Sequence, residues 1–369
     1  MKYFLLPLAL AFFLLLDSCS SGKNAYKHGN YYDAVLAAVN RLRQNPDHKK
    51  SKEILSLSYT AAVDFLESDA QNQLNSNANF KYRGVVQNYE RINTLYEQIR
   101  TSPGALKVIP KPVSKYKELT DMKAKAAEES YDAGIQAMMK STRQDAKDAY
   151  FLFVEANSFS PGYRESIEMM EQSKFNATLK VVVEPALENL YDWNFEPIVF
   201  GYQSNQFVKF YTPRQADEQK LPKIDQFLKV IVNGYQEGFP QISKRTEEQK
   251  DSVKTGEKVV NNVKVPVYQK VSAKVTVFEK KVTGRASITL LIVDGQSKAE
   301  LRNSEITSEQ TWTDSWAIYT GDVRALSGGN KKLIEKREPS MGKDYLRNQA
   351  KRDLDSKLSN AVSGFYRSY

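Results

Sequence analysis

The 369-residue chain holds little of the chemistry from which enzymes are built: one cysteine, Cys19, and two histidines, His28 and His48. Zinc sites draw on Cys, His and carboxylates at characteristic spacings. No His-Glu-x-x-His or Cys-x-x-Cys arrangement occurs, so neither a metal nor a cofactor is expected. A Ser-His-Asp triad needs an imidazole in a pocket, and both histidines fall in a stretch of helical periodicity. There is no Gly-x-Ser-x-Gly elbow, no phosphate-binding loop and no Gly-x-Gly-x-x-Gly turn. Carboxylates are plentiful enough for a paired-acid glycosidase, but no spacing singles out a pair, and no catalytic residue is assigned.

One cluster stands apart. Trp312, Trp316, Tyr319, Gly321, Asp322 and Arg324 follow one another closely, with two of the chain's three tryptophans four residues apart. Aromatic rings beside an arginine are what interface anchors are made of, and they would also suit a sugar ring. The plainer alternative is that the tryptophans cap a sheet edge and Asp322 pairs with Arg324 in a turn.

Cys19 has its own context. After Met1-Lys2, residues 3–16 are apolar or aromatic apart from Pro7. That is the length of a signal-peptide core, short of the roughly twenty apolar residues that a spanning helix takes. Leu16-Asp17-Ser18-Cys19 follows. It resembles the lipobox of bacterial lipoproteins at Leu16, Ser18 and Cys19, and departs from it at Asp17. The resemblance implies a signal peptide over 1–18, a lipidated Cys19 and a short spacer over 19–22. The thioether diacylglycerol, commonly with a third chain such as palmitate, anchors stably where one chain would be marginal. A lone cysteine excludes an internal disulfide framework. In lipoproteins of many Gram-negative bacteria an Asp after the Cys retains the protein in the inner membrane, and in some lineages an acidic run there sends it to the cell surface. Ser20, Ser21, Gly22, Lys23 and Asn24 carry neither signal. The expected address is the outer membrane, facing the periplasm, with the cell surface or a free periplasmic form as alternatives.

Composition fits a globular protein, at 41% hydrophobic and 26% charged. The net charge of +9 is uneven: residues 1–173 carry 22 basic and 20 acidic side chains, and residues 174–369 carry 31 and 24. Lys331 to Tyr369 holds ten basic against five acidic residues, which would attract an anionic lipid or acidic protein surface. Export makes nucleic acid an unsuitable partner.

Residues 23–173 read as helical hairpins. Gly29, Tyr31, Ala34, Ala38 and Pro46 resemble a tetratricopeptide repeat, in which small residues let antiparallel helices approach and proline opens the next helix. A second copy lies 115 residues on, where Ala149 answers Ala34 and Pro161 answers Pro46. Ala137, Phe153 and Ala156 take the small and aromatic positions. Between them Val85, Tyr89, Ile92, Tyr96 and Ile99 recur at helical spacing. Thr101 to Pro112 reads as a loop, and Val113 to Lys140 as helix again. The resemblance implies a groove that binds peptides or protein surfaces.

Residues 174–369 read as α+β on an antiparallel sheet. Leu179, Val181 and Val183 predict a strand, Pro185 the start of a helix, and Phe227 to Val232 another strand. Gln241 to Glu257 reads as a mobile loop or extended hairpin, with a tight turn at Asn261-Asn262. Alternation predicts a strand from Val263 to Val277 with its odd residues buried. Turns at Thr283-Gly284 and Asp294-Gly295 would complete a meander over 263–313. A closing helix, 343–366, carries the stripe Leu346, Ala350, Leu354, Leu358, Ala361 and Phe365. Through Asp225–Val232 and Ser287–Leu301 this order resembles the periplasmic α/β domain of the curli secretion-channel lipoprotein and of the lipoprotein activators of penicillin-binding proteins. The expectation is a non-enzymatic envelope scaffold that binds proteins. The alternatives are a regulator of a cell-wall synthase or hydrolase, and a glycan-binding or hydrolytic protein.

Overall fold

The computed structural model describes residues 22–185, 193–261 and 263–369. The signal-peptide and Cys19 expectations, and all but the start of a helix at Pro185, lie outside these residues. The chain divides into two compact units, Met1–Ala177 and Thr178–Tyr369. The boundary falls four residues later than the sequence suggests, because the last helix of the first unit runs on to Ala177.

The first unit is helical: α1 (Lys23–Lys27), α2 (Tyr31–Gln44), α3 (Lys49–Leu74), α4 (Lys81–Arg100), α5 (Pro103–Val108), α6 (Tyr116–Met138), α7 (Arg143–Phe159) and α8 (Ser166–Ala177). The starts are capped by the residues that do this best: the side chains of Asn30, Ser102 and Thr142 accept the backbone N–H three residues on. The expected Thr101–Pro112 loop contains the single turn α5, whose Gly104 lies against Pro46, where a Cβ would come within 2.8 Å of the proline Cα. Successive helices pack side by side, α2 on α3, α3 on α4, α4 on α6, α6 on α7 and α7 on α8. The core uses the small residues expected to permit this: Ala34, Ala38, Ala149 and Ala156 are wholly buried. Phe153 fills the α6–α7 contact against Gly134, and Ala137 is buried beside it.

Pro46 and Pro161 require correction. Both are exposed and stand in turns that precede α3 and α8, not in the first helical turn. The two turns are nevertheless alike. Asn45 and Ser160, 115 residues apart, both have φ −139°, with ψ 92° and 98°. In each, the residue three further on donates its N–H back to their carbonyl, His48 to Asn45 at 3.1 Å and Tyr163 to Ser160 at 3.0 Å. Proline therefore serves to end the preceding helix and bend the chain, which needs no amide hydrogen at that place.

The second unit is a six-stranded sheet with helices: β1 (Leu179–Glu184), α9 (Glu196–Phe200), β2 (Val208–Tyr211), α10 (Pro213–Glu218), β3 (Gln226–Glu237), β4 (Gln241–Val260), β5 (Val263–Asp294), β6 (Glu300–Gly321), α11 (Gly328–Ile334) and α12 (Tyr345–Tyr366). The sheet is mixed, correcting the antiparallel expectation: β1 runs parallel to both β2 and β3. The turn expected at Thr283-Gly284 does not exist. β5 runs unbroken for 32 residues, and Gly284 is needed because a Cβ would meet the Tyr235 hydroxyl at 2.7 Å and the Leu346 Cβ at 3.1 Å. The charged stretch 241–257 is strand β4, paired along β5 from Lys281 to Val263. The meander is thus β4–β5–β6, and it extends to Gly321.

Two helices cover different parts of this long sheet. α12 lays Ala350, Leu354, Leu358, Val362 and Tyr366 over Leu228, Ala286, Ile288, Leu290 and Ile292, while Leu346, also wholly buried, stands against Gly284. The stripe ends on Val362 and Tyr366; Ala361 and Phe365 are only partly buried. The opposite face is covered around Val271, Ala273 and Val275 by Leu326, Leu333 and Ile334, from α11 and the residues before it. Val263, Val265 and Val267, expected in a core, are exposed, because the covering residues stop at Val271. Among the described residues no helix is long and apolar enough to cross a membrane.

Candidate functional site

Strand geometry divides the tryptophan cluster. Side chains alternate between the two faces of a strand, and β6 pairs with β5 without a register break from Arg302 to Gly321. Trp312, Asp314, Trp316 and Ile318 therefore share one face, opposite Val282, Lys280, Phe278 and Thr276 of β5. Tyr319 is on the other face, beyond Val275. Asp322 and Arg324 lie past the strand end, where Asp322 caps a 3-10 turn and its carboxylate accepts the Arg324 N–H at 2.9 Å and guanidinium Nε at 3.0 Å. That contact holds the Asp322 carboxyl down at about 2. The plain reading holds for this pair, and the five residues Trp312, Trp316, Tyr319, Asp322 and Arg324 are not one site.

What the fold assembles is a platform. The Trp316 ring stacks on Phe278 across the strand pair, centroids 5.1 Å apart and planes 13° from parallel. Ile318 stands beside it, 58% exposed, and Ile242 of β4, also on this face, is 53% exposed. This face is the one that α12 covers further along; the helix begins at Tyr345, and on the platform Trp316 and Phe278 are half-buried. Ion pairs stand between platform and helix: Lys336 to Asp314 at 2.7 Å and Lys280 to Glu338 at 2.7 Å. The Lys336 ammonium, with the Ser315 N–H, holds the Asp314 carboxyl below its ordinary range. An apolar centre with a charged border is the anatomy of a protein-docking surface. Phe278, Ile318 and Ile242 escape the sequence reading because it takes Val263 to Val277 for its buried odd face and ends the meander at 313. Reading 300–321 as one strand at period two would have paired Trp316 with Ile318 and parted it from Tyr319.

The other expected residues have structural work. The His28 ring bonds the Asn24 carbonyl at 2.7 Å. His48 caps α3, its Nδ1 2.9 Å from the Ser51 hydroxyl, while neighbouring Asp47 turns to Lys52 at 2.9 Å, so no triad forms there. Gly29 takes φ 74° ahead of α2, and the Tyr31 ring meets Tyr26 at 5.7 Å. Within Lys331–Tyr369, Lys336, Arg347, Lys351 and Lys357, four of the ten basic residues, pair with carboxylates. Further concavities occur among the described residues. One of 550 Å³ lies on the sheet over Asn233, Gly234, Ser287 and Thr307. One of 450 Å³ lies in the helical unit beside Phe80, Glu129, Lys140 and Asp148, where burial raises the Glu129 carboxyl. Among the described residues no group of three or more His, Cys, Asp or Glu could hold a metal ion.

No protein family, no curated protein and no solved structure matches this chain.

Proposed function

We propose that the protein is a lipid-anchored, non-enzymatic component of the bacterial cell envelope, acting as an assembly scaffold that brings protein partners together. The observation that carries the docking role is the Trp316–Phe278 stack, half-buried beside exposed Ile318 and Ile242 on a sheet face that α12 covers further along. A large aromatic pair left half-buried forgoes part of the burial that α12 gives the same face further along, and such rings are the usual anchors of protein interfaces. The anchoring role rests on the lipobox-like Leu16-Asp17-Ser18-Cys19. The helical unit adds a second recruiting surface if its hairpins act as tetratricopeptide repeats, a reading supported by the recurrence of one turn geometry 115 residues apart. On this account Cys19 is held in the outer membrane and the folded mass faces the periplasm.

Crosslinking in intact envelopes followed by pull-down tests the scaffold role. A defined protein partner is expected. Recovery of the free monomer alone, under conditions that capture a known complex, contradicts it. Protease treatment of whole cells tests the address: digestion of the sheet unit only after permeabilisation is expected, and digestion in intact cells places it on the surface instead.

A further inference from the structure

Beyond Gly321 the sheet narrows to two strands. Gly321 lies opposite Ala273, and from Ser272 back to Val263 β5 has only β4 beside it. This arm extends past β6 by ten residues of β5, about 33 Å at the usual strand rise. It ends in a turn where Asn261 has φ 51°. Around the turn stand Val259, Val260 and Val263, exposed by 67%, 44% and 63%. A two-stranded ribbon gains little stability by itself in water, so apolar residues at its far end contribute nothing to the fold and invite another explanation.

The edges of the arm are not built to accept a strand. In an antiparallel strand the N–H and C=O of one residue point to the same edge, and successive residues alternate. The Ser272 carbonyl accepts the Asp322 N–H, on the side of β6. The Val267 carbonyl accepts the Thr255 hydroxyl, on the side of β4. Pro266, in phase with Ser272, therefore faces the open edge and withholds an N–H there. The opposite strand carries a register break between Lys254 and Gly256. Proline, lysines and bulges are the means by which edges are closed to pairing.

What remains is the tip. Val259 pairs with Lys264 on one face, and Val260 with Val263 on the other, next to Lys258 and Val265. The tip is thus apolar on both faces, with Lys258 behind the valines on one and Lys264 beside Val259 on the other. Lys254 is engaged by Glu257 at 2.6 Å, whereas Lys258 and Lys264 have no carboxylate partner among the described residues. A protein groove is matched by a single apolar face. An apolar end with a cationic collar matches a lipid surface, which takes valines among its headgroups and lysines against its phosphates. We propose that the β4–β5 arm docks its valine tip into an anionic membrane surface, giving the protein a membrane contact separate from Cys19.

The test uses the full chain with Cys19→Ser and Val260→Cys, so that the only thiol carries an environment-sensitive fluorophore at the tip. A matching chain carries it at Asn77, in the loop after α3. Vesicles of phosphatidylcholine with phosphatidylglycerol are expected to shift the tip probe, but not the Asn77 probe, to the blue. Pure phosphatidylcholine vesicles, or high salt, should give little shift. Replacing both collar lysines (Lys258→Gln, Lys264→Gln) should weaken vesicle binding at the tip roughly 25-fold, about fivefold for each lysine near an anionic surface. Val259→Ser with Val263→Ser should abolish the shift with the circular dichroism spectrum unchanged. The proposal is overturned if the tip probe does not respond to anionic vesicles or matches the Asn77 probe. It is equally overturned if the shift survives both sets of substitutions. A shift that needs added protein, or that grows with protein concentration without vesicles, assigns the tip to a protein partner or a second copy and overturns it too.

Discussion

Gly134→Ala tests how closely the helices of the first unit approach. A methyl group at Gly134 would lie 2.7 Å from Cε1 and 2.9 Å from Cζ of Phe153, well inside the roughly 3.5–4.0 Å at which carbon atoms attract best. The ring cannot easily move aside: Phe153 is wholly buried, and Tyr131 holds it edge-on at 5.5 Å. Two effects compete. Alanine within a helix is favoured over glycine by about 1 kcal/mol, while overpacking a filled core costs about 1–3 kcal/mol. The net expectation is a loss of about 1 kcal/mol, or a midpoint about 2–4 °C lower for a unit of this size. Phe153→Leu removes the ring carbons that the methyl would meet. In that background Gly134→Ala should stabilise by about 1 kcal/mol, the propensity alone. The coupling between the two positions is then about 2 kcal/mol, in the range of residues in contact. Urea unfolding followed by far-UV circular dichroism on all four chains measures it. Equal stabilisation by Gly134→Ala in both backgrounds would refute the close α6–α7 packing.

Three other outcomes follow from the sheet unit. Trp316→Ala should lower stability only modestly, by about 0.5–1.5 kcal/mol beyond the area lost from the stack, while removing the crosslinked partner; retention of the partner would assign docking elsewhere. Pro266→Val restores an N–H to the open edge of the arm and should increase self-association by light scattering, so an unchanged signal would show that the edge needs no protection. The Asp322 carboxyl is held at about 2 in the folded protein, below its ordinary value of about 3.9. The stabilisation of its turn is therefore complete above the ordinary carboxylate range and fades as pH falls through about 2. The Arg324 Nε–H resonance should keep its bonded position at pH 3, and loss of that position near pH 4 would contradict the pairing.

Periodicity made much of this fold legible. Val85, Ile92 and Ile99 mark the buried side of α4, and Leu346, Ala350, Leu354 and Leu358 mark that of α12, because one face of each helix meets one core. Local signals misled where their cause was not local. Gly284 resembles a turn residue, but it is small because Tyr235 and Leu346 crowd it from distant parts of the chain. Gln241 to Glu257 reads equally as a loop or an extended hairpin, because nearly all of it is solvated; pairing with β5 makes it the hairpin strand without giving it an apolar face. Val263, Val265 and Val267 alternate as a buried strand should, yet alternation cannot say how far a covering helix extends. The candidate site shows the same limit. Trp312 and Trp316 were visible as a pair, but Phe278, which completes the platform, is 38 residues away from Trp316 in the chain and joined to it only by register.

The docking role of the platform is tested most directly by a photo-crosslinking residue placed at position 316 in intact envelopes, with the same residue at position 319 on the opposite face as control. The account predicts one adduct of defined mass from position 316, containing a second protein, and none from position 319. Only free monomer from position 316, or the same adduct from both positions, would contradict it.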